Sequence, residues 1–377
     1  MTASIDLIKH FVTIQSSPII LIILNRPISS NALKEDSVLS ALLNKSILTC
    51  CTDGAYDEIN KHSTIKSIHC DLVIGDMDSV SRHHLDNSND HNQVFHDCIP
   101  DDYVKELYTI LDSKVSCSSN AKSSTTESIN DESSTTESTM KTNTTRFIHM
   151  SDQDSTDLEK TLIIIQQLTQ RMPDAANLTA TKQSSSFPSR YLSSTFSIAP
   201  IFIYGFQGGR LDHVFDCLHL LKKYQPCKLN DSSHHAFSHP LYAISEDSLG
   251  ICINDTLSFP IPIERQSDGS LPKHSIGIIP IYPFTMNAAE ASTESSNEEL
   301  SISPSTSSSH LLHSVRCKSI GLQWELSPDL PLSMGSFIST SNRLSDSLND
   351  SSQLTITIES LGGSIFFYLW QDKGIHA

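Results

Sequence analysis

The chain has 377 residues, which is long enough for two domains that each have a hydrophobic core. Asp and Glu number 43 against 26 Lys and Arg, and the resulting formal charge of -17 disfavours nucleic acid or an anionic membrane as the main partner. The nine cysteines are odd in number and form no CxxC metal pattern, so we expect reduced thiols in a cytoplasmic protein.

Short apolar runs alternate with helical patterns in the first half of the chain, as expected for βαβ units. The first run, Ile19–Leu24, is too short to span a bilayer and is predicted to be a buried parallel strand. Further strands are expected at four later runs, which are Ile47–Cys51, Leu72–Ile74, Phe147–Met150 and Ile201–Tyr204. Together they predict a Rossmann-like parallel sheet with helices on both faces.

Three segments between these strands are predicted to be helices, namely Ala32–Leu43, Asp101–Leu111 and Asp157–Arg171. In the last of them, Thr156 and Glu159 form a capping box, and Pro173 is expected to end the helix.

Past about Pro240 the pattern changes to short β-rich runs broken by Pro, Gly and Ser, which is typical of an antiparallel β-sandwich. Strands are expected at Tyr242–Ser245, Leu249–Ile253, Ser275–Ile281, Gly321–Leu326, Phe337–Ser341, Leu354–Glu359 and Ser364–Trp370. We therefore predict an α/β domain over residues 17–230 and an all-β domain over residues 240–375.

Three Ser-rich segments interrupt these patterns, near residues 113–145, 177–197 and 288–309. Such compositions bury too little apolar surface to offset a backbone ordering cost of roughly 1–2 kcal/mol per residue. We expect them to be disordered insertions.

Carboxylates follow the predicted strands at the points where those strands end. Asp53 follows the second strand, Asp76 and Asp78 follow the third, and Asp157 comes shortly after the fourth. Because the loops at the carboxyl ends of parallel strands meet in one crevice, these side chains can gather around one cation. The sequence predicts Mg²⁺ held by Asp76, Asp78 and Asp157. The alternative is that Asp76 and Asp78 only stabilise a turn.

Two further segments have the residue types that bind phosphate. The helix predicted at Asp157 offers free backbone N–H groups, with Lys160 one turn on, although acidic residues are common in any first helical turn. The paired glycines Gly208 and Gly209 allow close approach of a ligand, and Arg210 can bind phosphate. An ordinary strand-to-helix loop is the alternative there.

The predicted all-β domain carries Trp324 and the polar run Ser339–Asn342. An aromatic face with hydroxyl and amide groups suits a flat, cationic heteroaromatic ligand. The alternative is a Trp324 side chain in the hydrophobic core.

This ordered series of motifs resembles the thiamine pyrophosphokinase family, whose members transfer a pyrophosphoryl group from ATP to thiamine. The matching segments run in the family's order and span both predicted domains: Leu24–Pro27, Cys51–Ala55, Gly75–Ser79, Asp152–Asp157 with Lys160, Gly208–His213, Gly277–Pro280, Gly321–Trp324 and Ser339–Asn342. The chain departs from the family where Asp53-Gly54-Ala55 passes directly to Tyr56-Asp57, because the family commonly has Asp-Gly-Gly-Ala-Asn-Arg before the Tyr-Asp.

The resemblance implies ATP and thiamine as substrates, Mg²⁺ as cofactor, and a homodimer with thiamine sites between subunits. Mg²⁺ would be held by Asp76, Asp78 and Asp157, which with Asp212 form the implied catalytic set. The implied nucleotide and pyrophosphate contacts are Asp53, Gln153, Asp154, Lys160, Gly209 and Arg210. Trp324, Ser339 and Asn342 would hold thiamine from the partner chain.

Two other functions fit part of the sequence. The run Leu72–Val80 is also typical of haloacid-dehalogenase-like phosphatases, in which Asp76 would be the nucleophile, but no later Gly-Asp-x-x-x-Asp motif follows. A thiamine- or nucleotide-binding homologue without catalytic activity is the third hypothesis, because the loop after Asp53 is short.

Overall fold

The structure is a computed structural model that describes residues 6–15, 17–61, 68–81, 94–97, 99–120, 145–180, 195–207, 210–224, 239–260, 273–281, 314–334, 337–348, 353–359 and 364–371. The chain divides into two compact units, a larger one over Ile8–Glu246 and a smaller one that combines Met1–Leu7 with Asp247–Ala377. Most of the three predicted insertions lies outside the described residues.

The larger unit is built on parallel strands, which run in the order β7-β6-β1-β2-β3-β5-β4 within the described residues. Their bounds are β1 (Ile19–Ile23), β2 (Ser46–Thr52), β3 (Leu72–Gly75), β4 (Val94–His96), β5 (Arg146–His149), β6 (Ile201–Tyr204) and β7 (Leu241–Ile244). All five residues of β1 are buried, so this strand is covered on both faces, as in doubly wound α/β sheets. The strand order changes direction between β1 and β6, and such a switch point leaves a crevice at the carboxyl ends of the strands.

Helices precede or connect these strands. Their bounds are α1 (Leu7–Ile14), α2 (Val38–Lys45), α3 (Asp53–Lys61), α4 (Asp101–Asn120), α5 (Asp157–Ala180) and α6 (Leu211–Lys223). Within the part of the chain that the structure describes, no helix is both long and apolar enough to cross a membrane.

Three helix predictions need correction. The helix predicted over Ala32–Leu43 is divided into a 3₁₀ turn at Ser30–Leu33 and α2, because Ser37 caps α2 by accepting a hydrogen bond from the Ser40 N–H. Helix α4 continues into the first predicted insertion. Helix α5 continues past Pro173 into the second, since a proline removes one backbone hydrogen bond but does not have to end a helix.

The smaller unit consists of antiparallel strands in two sheets, ordered β12-β10-β14-β8 and β11-β13-β9. Their bounds are β8 (Ser248–Ile253), β9 (Thr256–Pro260), β10 (His274–Ile281), β11 (Cys317–Ile320), β12 (Ser339–Asn342), β13 (Gln353–Ile358) and β14 (Ser364–Gln371). A parallel α/β sheet followed by antiparallel strands confirms the predicted fold class.

Two strand predictions in the second half were wrong in detail. The run expected at Tyr242–Ser245 in the all-β domain is β7, which pairs in parallel with β6 in the larger unit. The strand expected over Gly321–Leu326 is only an isolated bridge between Leu322 and Leu344. Gly321 has a φ of +103°, and this left-handed backbone ends β11 one residue earlier.

Candidate active site

Carboxylates from two neighbouring strand ends meet at the carboxyl edge of the parallel sheet. Asp53 is the first residue of α3, directly after β2, while Asp76 and Asp78 follow β3. The parallel pairing of Thr52 with Ile74 places the carboxyl ends of β2 and β3 side by side. One carboxylate oxygen from each of Asp53, Asp76 and Asp78 lies within 4.8 Å of the other two. This group has the hard oxygen ligands that Mg²⁺ prefers.

Asp157 lies beside this group at the start of α5. Its side chain is hydrogen-bonded to the Asp53 carboxyl. The predicted set of Asp76, Asp78 and Asp157 is thus gathered at one edge, but the three acids whose oxygens all lie within 4.8 Å of one another are Asp53, Asp76 and Asp78. The resemblance implied a nucleotide contact for Asp53, and no local pattern shows that this residue begins a helix within reach of Asp76.

Gly75 leaves the space that lets these acids approach. A Cβ atom on Gly75 would lie 2.8 Å from the Cβ of Asp53 and 3.2 Å from Oδ1 of Asp157. The first of these distances is too short for real Cβ contacts. A side chain at residue 75 would therefore displace Asp53, Asp157 or both.

Burial and mutual repulsion disturb the ionisation of the two inner acids. Asp53 is only 2% exposed, and burial together with the neighbouring Asp157 raises the pKa of Asp53 to about 7. Burial also raises the pKa of Asp157, although Lys160 and the Asp53 hydrogen bond oppose this rise. Below about pH 7, Asp53 therefore keeps its proton and is hydrogen-bonded to Asp157. A bound divalent cation would favour loss of this proton.

Lys160 is the buried cation of this site. Its Nζ lies 3.4 Å from Oδ1 of Asp157, one turn earlier on α5, and the residue is 2% exposed. A buried ammonium is stable only beside a carboxylate, so Lys160 holds Asp157 in place and supplies positive charge behind it.

Asp76 occupies a more polar position than Asp53. The Asp78 N–H donates to its Oδ1 at 3.3 Å, and Gln153 Nε2 donates to its Oδ2 at 3.3 Å. Burial opposes ionisation of Asp76, but these two hydrogen bonds and the charge of Lys160 outweigh it and lower the pKa. Between the two acids, Met77 has a positive φ of 63°, which forms the sharp turn after β3.

The loop before α5 brings Gln153 to this site. Asp154 is exposed, its N–H donates to Asp152 at 2.9 Å, and it is not one of the three acids whose oxygens lie within 4.8 Å of one another. One of the two hydrogen bonds of the predicted capping box is confirmed: Thr156 Oγ1 accepts from the Glu159 N–H at 3.3 Å. Thr156 also donates to Asp216 of α6 at 2.8 Å, which links the starts of the two helices.

The predicted phosphate contacts at the start of α6 are only partly described. Gly208 and Gly209 lie outside the described residues. Arg210 and Asp212 are exposed and form an ion pair with each other at 2.5 Å. This pair lowers the pKa of Asp212 and raises that of Arg210.

One segment of the chain matches a known protein family. Residues 126–230 match the family model "Thiamin pyrophosphokinase, catalytic domain". Over this segment the chain is similar to the catalytic domain of the thiamin pyrophosphokinase family. The matched region includes Gln153, Asp157, Lys160 and the start of α6. No curated protein sequence matches the chain.

Solved thiamin pyrophosphokinases share the fold. The enzyme from Candida albicans is similar at 13% sequence identity and a TM-score of 0.52, with 96% of this chain and 90% of that chain covered. The yeast thiamin pyrophosphokinase is similar at 15% identity and a TM-score of 0.50, with 99% of this chain and 92% of that chain covered. At such identities the likeness shows a common fold.

The residues that the resemblance to thiamin pyrophosphokinases assigns to thiamine lie together in the smaller unit. Asn342 is buried, and its Nδ2 donates to the Trp324 carbonyl at 2.7 Å and to Ser339 Oγ at 3.3 Å. Its Oδ1 accepts from the Trp324 N–H at 3.2 Å. Asn342 thus holds the backbone of Trp324, whose side chain is 58% exposed rather than part of the core. The guanidinium of Arg343 lies 5.8 Å from the centre of the Trp324 ring.

Asn25, Arg26 and His213 have no predicted role. The Asn25 side chain fills the space next to Gly54, where a Cβ would lie 2.1 Å from Asn25 Nδ2. Arg26 Nη1 lies 3.0 Å from Nδ1 of His213 on α6. The available signal was the position of Asn25-Arg26-Pro27 directly after β1, at the same edge of the sheet as Asp53.

Proposed function

We propose that this protein is a thiamine pyrophosphokinase, which transfers the pyrophosphoryl group of MgATP to the hydroxyl of thiamine and releases AMP. The observation that carries the proposal is the gathering of Asp53, Asp76, Asp78 and Asp157 at one sheet edge. The catalytic-domain match over residues 126–230 supports it.

The carboxylates would hold Mg²⁺, which when bound neutralises charge on the phosphate oxygens. Asp53, Asp76 and Asp78 have the spacing for this role, and Gln153 and Lys160 fix the orientations of Asp76 and Asp157. The amino end of α5 offers backbone N–H groups to the same phosphates.

In the proposed reaction the thiamine oxygen forms a bond to the β-phosphorus as the bond from that phosphorus to the α–β bridging oxygen breaks. The hydroxyl proton leaves to a base, and the electron pair of the broken bond stays on AMP. The protein acts chiefly by aligning the substrates and compensating charge. Asp212, exposed and paired with Arg210, belongs to the proposed catalytic set.

We propose that thiamine lies against the exposed ring of Trp324, since a thiazolium cation is attracted to an aromatic face. Ser339 and Asn342 complete this proposed site. We further propose a homodimer in which the smaller unit of one subunit supplies Trp324 to the site of the other.

The haloacid-dehalogenase hypothesis is less well supported. Both oxygens of Asp76 accept hydrogen bonds, from the Asp78 N–H and from Gln153, whereas a nucleophile needs an oxygen that points freely at phosphorus. A binding protein without catalysis is favoured by one observation: Asp53 itself begins α3, so no loop separates it from the helix.

An activity assay distinguishes these functions. Purified protein with thiamine, ATP and Mg²⁺ should form AMP and thiamine diphosphate in equal amounts, as followed by liquid chromatography. Asp78→Asn should reduce this activity by at least about a hundredfold while the protein stays folded. Asp102→Asn, at an exposed acid of α4, is the matched control and should leave activity unchanged. Binding of ATP or thiamine without AMP release would instead support the binding protein.

A further inference from the structure

Two histidines meet at the carboxyl ends of the outer strands of the parallel sheet. His96 is the last residue of β4, His149 is the last residue of β5, and the two residues are paired in register. Paired residues of neighbouring parallel strands direct their side chains to the same face of a sheet. The Nδ1 atoms of the two rings lie 3.1 Å apart, and the ring planes are inclined at 75°.

This distance between the two Nδ1 atoms fits two ligands of one metal ion. Imidazole nitrogen binds Zn²⁺ with bonds of about 2.0–2.1 Å. For two nitrogens 3.1 Å apart, such bonds meet at the metal at an angle of about 100°, which lies between the square-planar and the tetrahedral angle. A small rotation of each ring about χ2, a soft torsion in histidine, aims both nitrogens at that point.

The hydrogen bond between the rings leaves both of them able to bind a metal. A neutral imidazole has one N–H group and one nitrogen lone pair. One Nδ1 donates and the other accepts, so one ring already presents its lone pair at this point. The other ring presents its lone pair once its proton moves to Nε2. Within the described residues, neither Nε2 atom has a hydrogen-bond partner, so this change of tautomer breaks no other hydrogen bond.

A carboxylate lies beside the two rings. Asp97 follows His96 directly, with a positive φ of 54° that turns the chain at the end of β4. Its Oδ1 accepts hydrogen bonds from the N–H of Ser151 at 2.8 Å and from the hydroxyl of the same residue at 2.9 Å. Asp97 interacts electrostatically with both histidines. In the part of the chain that the structure describes, only the acids of the candidate active site form a group of three ligands within 4.8 Å, so Asp97 supplies charge rather than a third ligand atom.

We propose that His96 and His149 form a binding site for a divalent transition-metal ion such as Zn²⁺. Imidazole nitrogen suits Zn²⁺, Cu²⁺ and Ni²⁺, whereas Mg²⁺ prefers the oxygen ligands of the carboxylate group. The two sites are neighbours, because His149 pairs with Gly75 in the sheet, but they share no ligand. This inference goes beyond the proposed function and does not depend on it.

The bound ion would join β4 to the rest of the sheet. Among the described strands, β4 is the outermost and pairs with β5 over three residues. A metal ion held by the last residue of each strand cross-links the two strands. Because the histidines come together only in the folded chain, the ion should also raise the stability of the folded state.

The test is calorimetric titration of Zn²⁺ into the full-length protein, with excess Mg²⁺ to compete at the carboxylate group. His96→Gln and His149→Gln should each weaken Zn²⁺ binding at least about tenfold, because one nitrogen alone cannot hold the ion from two sides. The double variant should bind scarcely more weakly than either single variant, since both histidines hold the same ion. His219→Gln, at an exposed histidine of α6, is the matched control and should keep the wild-type affinity.

A second measurement needs no substitution and therefore does not depend on how the variants fold. Diethyl pyrocarbonate modifies accessible imidazoles, and peptide mass spectrometry locates the modified residues. One equivalent of Zn²⁺ should protect His96 and His149 in the wild type and leave His219 reactive. Melting curves show whether each variant is folded. Unchanged Zn²⁺ affinity in the folded histidine variants, or no protection of these two rings in the wild type, would overturn the site.

Discussion

Asp53 is the residue whose chemistry the site changes most. Its folded-state pKa is about 7, against a usual value of 3.8. An acid whose pKa is raised by folding stabilises the folded state fully below the unfolded pKa, and this contribution is lost as pH rises toward the folded pKa. Without metal, stability should therefore fall between about pH 4 and pH 7 through this residue.

Asp53→Asn tests this directly. In EDTA at pH 8 the variant should be more stable than the wild type by at least about 1 kcal/mol, because it never has to bury a charge. The advantage should vanish near pH 4. Thermal unfolding followed by circular dichroism measures the stability difference at both pH values. Asp102→Asn, which changes an exposed acid, should be as stable as the wild type at each pH. A wild type that is equally stable across this pH interval would contradict the raised pKa.

Gly75 is the second residue for which the structure predicts a clear effect of substitution. Gly75→Ala places a Cβ 2.8 Å from Asp53 and should destabilise the protein by about 1–3 kcal/mol, with weakened Mg²⁺ binding. The matched control is Gly277→Ala, whose Cβ would meet Tyr368 at an ordinary 3.6 Å. Calorimetric unfolding and a metal titration compare the two variants. If the two variants had the same stability and the same Mg²⁺ affinity, the acids would not need the space next to Gly75.

At the scale of elements, the start of α5 connects the site to α6. Thr156 caps α5 and also donates to Asp216, so Thr156→Val removes both interactions. We expect a loss of about 1 kcal/mol or more in unfolding free energy. Burial raises the pKa of Asp216 against the opposing Thr156 hydrogen bond, so this variant should raise it further. Chemical denaturation measures the first effect and carboxyl NMR titration the second; an unchanged unfolding free energy would contradict the capping role.

The elements also show what the sequence could and could not predict. The five apolar strand runs of the first half were found because buried parallel strands are continuously apolar. Two element ends were predicted wrongly. Helix α5 continues past Pro173, and β11 ends before Gly321, whose left-handed backbone cannot be read from the pattern of apolar residues. The sequence predicted that Asp53 lies near Asp76 and Asp78, but not that their oxygens come within 4.8 Å of one another, because this distance depends on the register of β2 against β3, which no local pattern records.

At the scale of the whole molecule, the proposed assembly is a homodimer. Light scattering coupled to gel filtration should give twice the mass of one chain. Trp324→Ala should raise the Michaelis constant for thiamine by about tenfold or more and leave that for ATP nearly unchanged, because Trp324 belongs to the proposed thiamine site and not to the proposed nucleotide site. A monomer with full activity would contradict sites shared between subunits.

Transfer of label from ATP to thiamine tests the central claim most directly. With Mg²⁺ present, phosphorus label at the β-position of ATP should appear in thiamine diphosphate, and label at the α-position should appear only in AMP. Asp76→Asn should lower this transfer by at least about a hundredfold while its melting curve stays close to that of the wild type. Full transfer by the folded variant, or no transfer by the wild type, would contradict a pyrophosphokinase that acts through these carboxylates.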